Sequence, residues 1–357
     1  MTKRTCIYLI LLSFFLIASC AKVTYIGKLL WGETKILWGS MPIQEVLGDK
    51  GVKDRVKKRI RLVQEVKEFA HQKMGLSLNG CYESFYRVKD DTLIYLVSAC
   101  PKDSLRPYSW HFPIVGEVTY KGFFDKKDAL KEIKRLQKRG LDTCLQRAIA
   151  FSTLGWLSDP IYSTILERHP VIIINTIIHE LVHNNIFFKG KTEFNEQIAS
   201  FIGEKGALMF IEEKFGVSSP YYQLALDLAK DEQLVASFLE ELYDELKDLY
   251  SQQIPLQEKM RRRQQLFAQG KRKFADLKSM LKTGCFMDLD REGFNNASIV
   301  AYKRYLITPD GLLQQVYEAL NSNMKDFIKF LRSIRKEKAP HLYLERWLRE
   351  RPRPTCY

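Results

Sequence analysis

The stretch from Val171 to Phe188, VIIINTIIHELVHNNIFF, constrains this chain more than any other, because it sets two histidines and a glutamate in an otherwise apolar run. With Pro170 immediately ahead of it, the run predicts a buried helix that starts at the proline. On a helix His179 and His183 lie one turn apart on one face, so both imidazoles can reach one cation. Glu180 lies about 100° round the axis, where its carboxylate can meet a water on that cation without ligating it. Such groups, flanked by Ile177, Ile178, Leu181 and Val182, are costly to bury without compensation. A metal compensates them; two core histidines satisfied by protein neighbours are the plain alternative. The pattern suits one Zn²⁺, which lowers the pKa of a bound water to about 7 so that a glutamate can take its proton.

A catalytic zinc needs a third protein ligand and an open position. After a polar turn at Lys189 to Thr192 comes FNEQIASFIGEKGALMFIEEKF, a second helical run that a short connection folds back antiparallel. Glu196 near its start is the best-placed third ligand, while Glu193 reads as a solvated or capping carboxylate. Ala199, Ser200, Gly203 and Ala207 recur at spacings of three and four and give this helix a narrow face for close packing.

The N-terminus reads as a targeting segment. Lys3 and Arg4 precede an apolar region from Ile7 to Ile17, and Ile17-Ala18-Ser19-Cys20 forms a box ending on cysteine. It resembles a bacterial lipobox, which makes residues 1–19 a signal peptide and Cys20 a lipidated first residue. The apolar region is short of the roughly 18 residues of a spanning helix. Ala21, rather than an aspartate, points by the sorting tendency of bacterial lipoproteins to the outer membrane. The charge of +14 could suggest nucleic acid or an anionic membrane. Its basic residues alternate with acids, as in KKDALKEIKRLQKRG, which is a solvated helix face and argues against nucleic acid.

At 357 residues and 46% hydrophobic, the chain can bury a full core in one large domain or two small ones, and residues 20–357 are read as one. Tyr25 to Trp38 and Val52 to Met74 read as helices with packing roles. CYESFYRV and TLIYLVSAC alternate as strands about Lys89-Asp90-Asp91, and a tight hairpin there sets Cys81 opposite Cys100 as a possible disulfide; two unconnected thiols are the alternative. His111 to Tyr120 reads as extended and Lys126 to Gly140 as an exposed helix. Asp159 is either an orienter of a ligand histidine or, before Pro160, a turn residue. Pro220 to Gly284 reads as a long helical hairpin broken at Ile254-Pro255, whose Arg261-Arg262-Arg263 run is by default a solvated face. Tyr302 is the first choice, ahead of Tyr305, for a hydroxyl that stabilises a developing oxyanion.

HELVHNNIFFKGKTEFNEQIASFIGEKGA, at positions 179 to 207, resembles the bacterial zinc aminopeptidases predicted to be lipoproteins, within the gluzincin group. MPIQEVL, WHFPIVGEVTYKGFF, GWLSDPIYSTIL and NNASIVAY extend the resemblance over almost the whole mature chain. Where the family pattern carries a cysteine, this chain has His111. The resemblance implies His179, His183 and Glu196 as ligands, Glu180 as base, and Asn295 and Asn296 as cleft or substrate-binding residues; for the asparagines and Tyr302 the equal alternative is buried amides and rings that hold a loop. Gluzincins hold the substrate backbone on a strand edge, which makes Gly116-Glu117-Val118 a candidate edge, with a plain core strand as the equal alternative.

The expectation is an α+β, mostly helical, zincin-like metallopeptidase domain with a small β-sheet and a long helical hairpin. It would be anchored by lipid in a bacterial envelope, facing the periplasm, and would cleave peptides with one zinc, as an aminopeptidase on the family's name. The alternative is a non-catalytic zinc-binding envelope lipoprotein, a scaffold or a peptide-binding chaperone.

Overall fold

The computed structural model describes residues 24–112, 116–150, 158–306 and 311–350. Cys20 and the N-terminal segment lie outside the described residues. The fold is α+β and mostly helical, with three small sheets. Its centre is a helix pair, α6 (Pro170–His183) and α7 (Thr192–Phe215), joined by a short turn. Pro170 occupies the first turn of α6, where a missing N–H costs nothing.

Eight of the fourteen residues of α6 are buried, and Ile173, Ile174, Ile177, Ile178, Leu181 and Val182 are fully enclosed. Each such aliphatic side chain contributes about 1.5–3 kcal/mol. The narrow face of α7 makes the packing close. A Cβ on Gly203 would stand 2.8 Å from Asn175 Oδ1 and 3.3 Å from the His179 Cβ, and one on Gly206 would stand 2.6 Å from Met74 Cε. Side chains at these positions would push α7 off α6 and move His179 with it. Helix α3 (Asp54–Gln72) packs on the other side of α6, with Ile60, Val63 and Val66 inward. The C-terminal helices α11 (Leu312–Ala319), α12 (Met324–Ser333) and α13 (Pro340–Glu350) share the same core.

Ahead of these, residues 24–39 form helix α1, followed by β1 (Ser40–Pro42) and the short α2 (Ile43–Gly48). One sheet joins β1 antiparallel to β2 (Ser84–Tyr86), and β2 parallel to β8 (Ile161–Tyr162). A second has β3 (Ile94–Cys100) at its centre, antiparallel to both β6 (Lys121–Phe123) and β7 (Asp142–Ala148). A third is the hairpin of β4 (Trp110–Phe112) and β5 (Gly116–Val118). Helix α4 (Lys126–Gln137) covers the second sheet, and the four-residue α5 (Ser163–Leu166) leads towards α6. The long hairpin is α8 (Pro220–Ser251) and α9 (Leu256–Lys278), broken at Pro255, with a core of its own around Leu239, Leu242 and Phe274.

The expected hairpin carrying Cys81 and Cys100 does not form. Asn79, Gly80 and Tyr82 all have positive φ, so the chain turns through Cys81 instead of running extended. β2 then joins the first sheet while β3 joins the second. Both thiols are free, as are Cys144 and Cys285. Cys81 Sγ accepts from Asn184 Nδ2 at 3.1 Å, and the Cys100 thiol donates to the Ser104 carbonyl at 3.1 Å. The arginine run also divides: Arg261 and Arg262 hold Glu258 on an exposed face, whereas Arg263 is buried and ion-paired with Asp142. Among the described residues no helix is long and apolar enough to cross a membrane.

Candidate functional site

The last turn of α6 and the first turn of α7 place three ligating atoms in a triangle. His179 Nε2 and His183 Nε2 are 3.2 Å apart, and Glu196 Oε2 stands 3.5 Å from the first and 3.4 Å from the second. Four ligands held tetrahedrally at about 2.0–2.1 Å from a zinc ion are separated by about 3.3–3.4 Å. The three edges match that spacing, and the donor set, two imidazole nitrogens and one carboxylate oxygen, is one zinc accepts. The same distances are long for a direct charge-assisted hydrogen bond, which closes to about 2.7–2.9 Å. The three side chains could therefore hold a metal ion.

Neighbouring residues fix this geometry. Asn195 grips the connecting turn with both ends of its amide, accepting from Phe188 N at 2.8 Å and donating to Phe188 O at 2.9 Å. Asn184, at the end of α6, donates to Asp159 Oδ2 at 3.3 Å and to the Cys81 sulfur. Asp159 is buried, and by accepting from the residue after His183 it ties down the end of the histidine helix. Tyr120 donates its hydroxyl to Glu196 Oε1 at 3.2 Å, leaving Oε2 to face the imidazoles.

Electrostatics agree with a site that holds charge in a dry place. Burial alone would raise the pKa of Glu196, but the imidazoles of His183 and His179 outweigh it and hold the carboxyl well below its usual range. Burial would lower His183, and Glu196 more than reverses that. Glu180 is raised, chiefly by burial, with the two histidines opposing the shift. A base moved upward in this way takes a proton more readily near neutral pH.

A cavity of about 780 Å³ opens over the triangle, lined by all three ligands and by Glu180. Its walls are mostly apolar, among them Ile26 and Leu29 of α1, Leu96 of β3 and Phe124. Tyr120 and Tyr305 enter it from the sheet side. The buried guanidinium of Arg304 stacks on both rings, 5.0 Å from Tyr120 and 5.9 Å from Tyr305. Burial and the nearby Glu196 charge raise the Tyr305 hydroxyl, which keeps it a hydrogen-bond donor. Glu33 of α1 also lines the cavity. Burial and the nearby charge of Asp159 raise it to about 7, and among the described residues it has no cationic partner.

Three sequence-derived assignments are corrected here. Tyr302 does not line the cavity; its ring packs beside Cys144 and its hydroxyl pairs with that thiol. Tyr305, in the turn that follows α10 (Asn296–Lys303), lines the cavity in its place. Asn295 caps α10, accepting from Ser298 N at 3.0 Å. Asn296 is fully buried, accepting from the Tyr250 hydroxyl at 2.8 Å and donating to Pro101 O at 2.8 Å. The asparagine pair thus locks α10 to the strand loops and the long hairpin and does not face the cavity. Gly116 adopts φ +81° and abuts the Lys189-Gly190 turn, and it is its neighbours Glu117 and Val118 that reach the cavity wall. His111 is exposed opposite Glu117.

Sequence reasoning missed Tyr120, Glu33 and the cavity-lining role of α1. The one available signal for Glu33 was a lone acid between apolar residues of the helix at 24–39.

A family model described as "Putative aminopeptidase" matches residues 24–342, and the chain belongs to this family. No curated protein and no solved structure matches the chain.

Proposed function

We propose that this member of the aminopeptidase family is a zinc-dependent, zincin-like peptidase that removes residues from the amino end of peptides, working from a lipid anchor at Cys20 on the periplasmic side of a bacterial envelope, at the outer membrane. Family membership suggests a peptidase. The finer reading rests above all on the 3.2–3.5 Å triangle of His179, His183 and Glu196 beside Glu180 in one cavity.

His179, His183 and Glu196 would hold the zinc, which when bound acidifies a water and polarises the scissile carbonyl. Glu180 takes the proton of the attacking water and then delivers it to the departing nitrogen, so the amine leaves neutral. Tyr305 donates its hydroxyl to the oxygen on which negative charge develops, a contribution of about 3 kcal/mol for one donor. Tyr120 keeps Glu196 oriented. The apolar walls exclude water and receive the side chain that precedes the cut bond. The edge at Glu117-Val118 offers backbone groups to an extended peptide.

Glu33 gives the reading its amino-terminal character. A cavity-lining carboxylate without a cationic partner gains one when a substrate's α-ammonium enters. A non-catalytic scaffold would need the metal closed off by a fourth protein donor. Among the described residues the metal-competent cluster has three members and faces a cavity large enough for a substrate residue.

The test uses matched peptides with free and with N-acetylated amino ends, read by mass spectrometry. Stepwise loss from the free peptides alone supports the aminopeptidase reading. Equal cleavage of the acetylated set at internal bonds would replace it with an endopeptidase.

A further inference from the structure

Exposed apolar side chains are unevenly distributed over the molecule. Of the eleven large ones among the described residues, six fall between positions 26 and 41: Ile26, Leu30, Trp31, Leu37, Trp38 and Met41. Leu30, Trp31 and Trp38 are 63%, 55% and 80% exposed. On α1 these residues form one outward arc, since 30, 34, 38 and 31 follow one another round the helix.

The opposite face of α1 is committed to the protein. Tyr25 donates its hydroxyl to Gly122 O at 2.9 Å, Lys28 pairs with Asp128 at 2.6 Å, and Ile36 is buried in the main core. Gly32 lies so close to the Phe124 ring that no side chain fits between them. The helix therefore cannot roll to hide its indoles, and an arc of this size on a soluble face marks an interaction surface.

We propose that this arc of α1 seats in the interface of an anionic lipid bilayer, and that the active-site cavity thereby opens at the membrane surface. The inference rests on the lipid-anchor reading of Cys20. Three residues separate that cysteine from the first described residue of α1, and the four steps between the two reach at most about 14 Å when fully extended. The face is thus delivered to the headgroups by the anchor itself. Its chemistry suits that depth: paired tryptophans are the side chains most at home where one end is apolar and the other wet. Lys35, 5.3 Å from the Trp31 ring centroid, can reach an anionic headgroup. Without residues 1–19, and so without Lys3 and Arg4, the chain carries 54 basic against 42 acidic side chains, and this +12 adds a general attraction to such a surface.

The helix does two jobs at once. Ile26 and Leu30 belong to the exposed arc and also line the cavity, beside Glu33. Seating α1 sets the cavity rim at headgroup level and favours peptides that are themselves held near the bilayer. The acyl chains supply affinity, and the helix supplies orientation.

The experiment reconstitutes the full-length, processed protein into vesicles of phosphatidylethanolamine and phosphatidylglycerol containing lipid brominated near the headgroup. Tryptophan emission is compared between wild type and a W31F/W38F double variant, whose phenylalanines keep the arc apolar. The proposal predicts quenching that falls by at least about half in the double variant. Protein that floats with the vesicles but shows no such difference overturns the seat and leaves the anchor standing. Protein that does not float at all overturns both. A detergent-solubilised dimer that a W31Q/W38Q variant converts to monomer would assign the arc to a second copy instead. Cleavage of a free peptide, measured in the same samples, reports on the zinc site independently of every one of these outcomes.

Discussion

Among the buried carboxylates of the helical part, Asp231 and Glu196 are satisfied in opposite ways. Asp231 on α8 is 1% exposed and accepts three hydrogen bonds from one place: Lys282 N at 2.9 Å, Thr283 N at 2.7 Å and Thr283 Oγ1 at 2.7 Å. Its charge is taken up by fixed donors of the segment that closes the long hairpin. Glu196 on α7 is 5% exposed and receives one hydroxyl on Oε1, while Oε2 faces two imidazole nitrogens at metal-ligand spacing. One carboxylate ends a helix pair; the other is left with capacity for a cation. The lesson is that burial of a charge does not mark a site, and that what completes its shell does.

The sharpest way to break this comparison is to neutralise each carboxylate. Glu196→Gln should leave a folded protein that loses zinc on dialysis and loses peptide cleavage with it, read by atomic emission and by turnover. Asp231→Ala should do the reverse. It leaves two backbone amides and a hydroxyl without their acceptor, which costs about 1–3 kcal/mol or more in urea unfolding, while zinc content stays at one per chain. Zinc loss in the Asp231 variant would erase the distinction.

A smaller effect sharpens it from a third carboxylate. Glu33, raised to about 7 by burial and Asp159, binds a substrate ammonium only when ionised, so KM should fall as pH rises through about 7, with kcat following a separate profile. Glu33→Gln should raise KM for free peptides and flatten that dependence. The stability sign runs the other way. A carboxyl whose folded pKa lies above its unfolded value loses its favourable contribution as pH rises from the unfolded value to about 7. Removing Glu33 should therefore remove that decline in unfolding free energy. A KM independent of pH would take Glu33 out of substrate binding.

The legibility of the molecule from its sequence follows the range of the interactions. His179, Glu180 and His183 were readable because helical spacing alone puts them together, and Glu196 because a short turn limits where the next helix can go. The α8–α9 hairpin showed itself through its apolar stripes and Pro255. Tyr305 was hidden behind Tyr302 because two tyrosines three residues apart look alike in sequence, and only the packing of Tyr302 beside Cys144 separates them. Glu33 and Tyr120 reach the cavity only through the docking of α1 and the end of the β4–β5 segment, contacts across more than 70 positions. The supposed Cys81–Cys100 hairpin failed because alternation extends into a segment that left-handed turns divert to another sheet. Asn295 and Asn296 show the same limit, since an amide that caps a helix and one that binds a peptide look alike in a string of letters.

The most direct test of the account is the Glu180→Gln variant, which keeps the shape and the three ligands while removing the base. Zinc content and turnover of a free peptide are measured side by side with the wild type. The account predicts one zinc per chain in both proteins and turnover lowered by about 10²–10⁴-fold in the variant. Undiminished turnover with zinc in place would contradict the assignment of Glu180, and a wild type without zinc would contradict the metal centre itself.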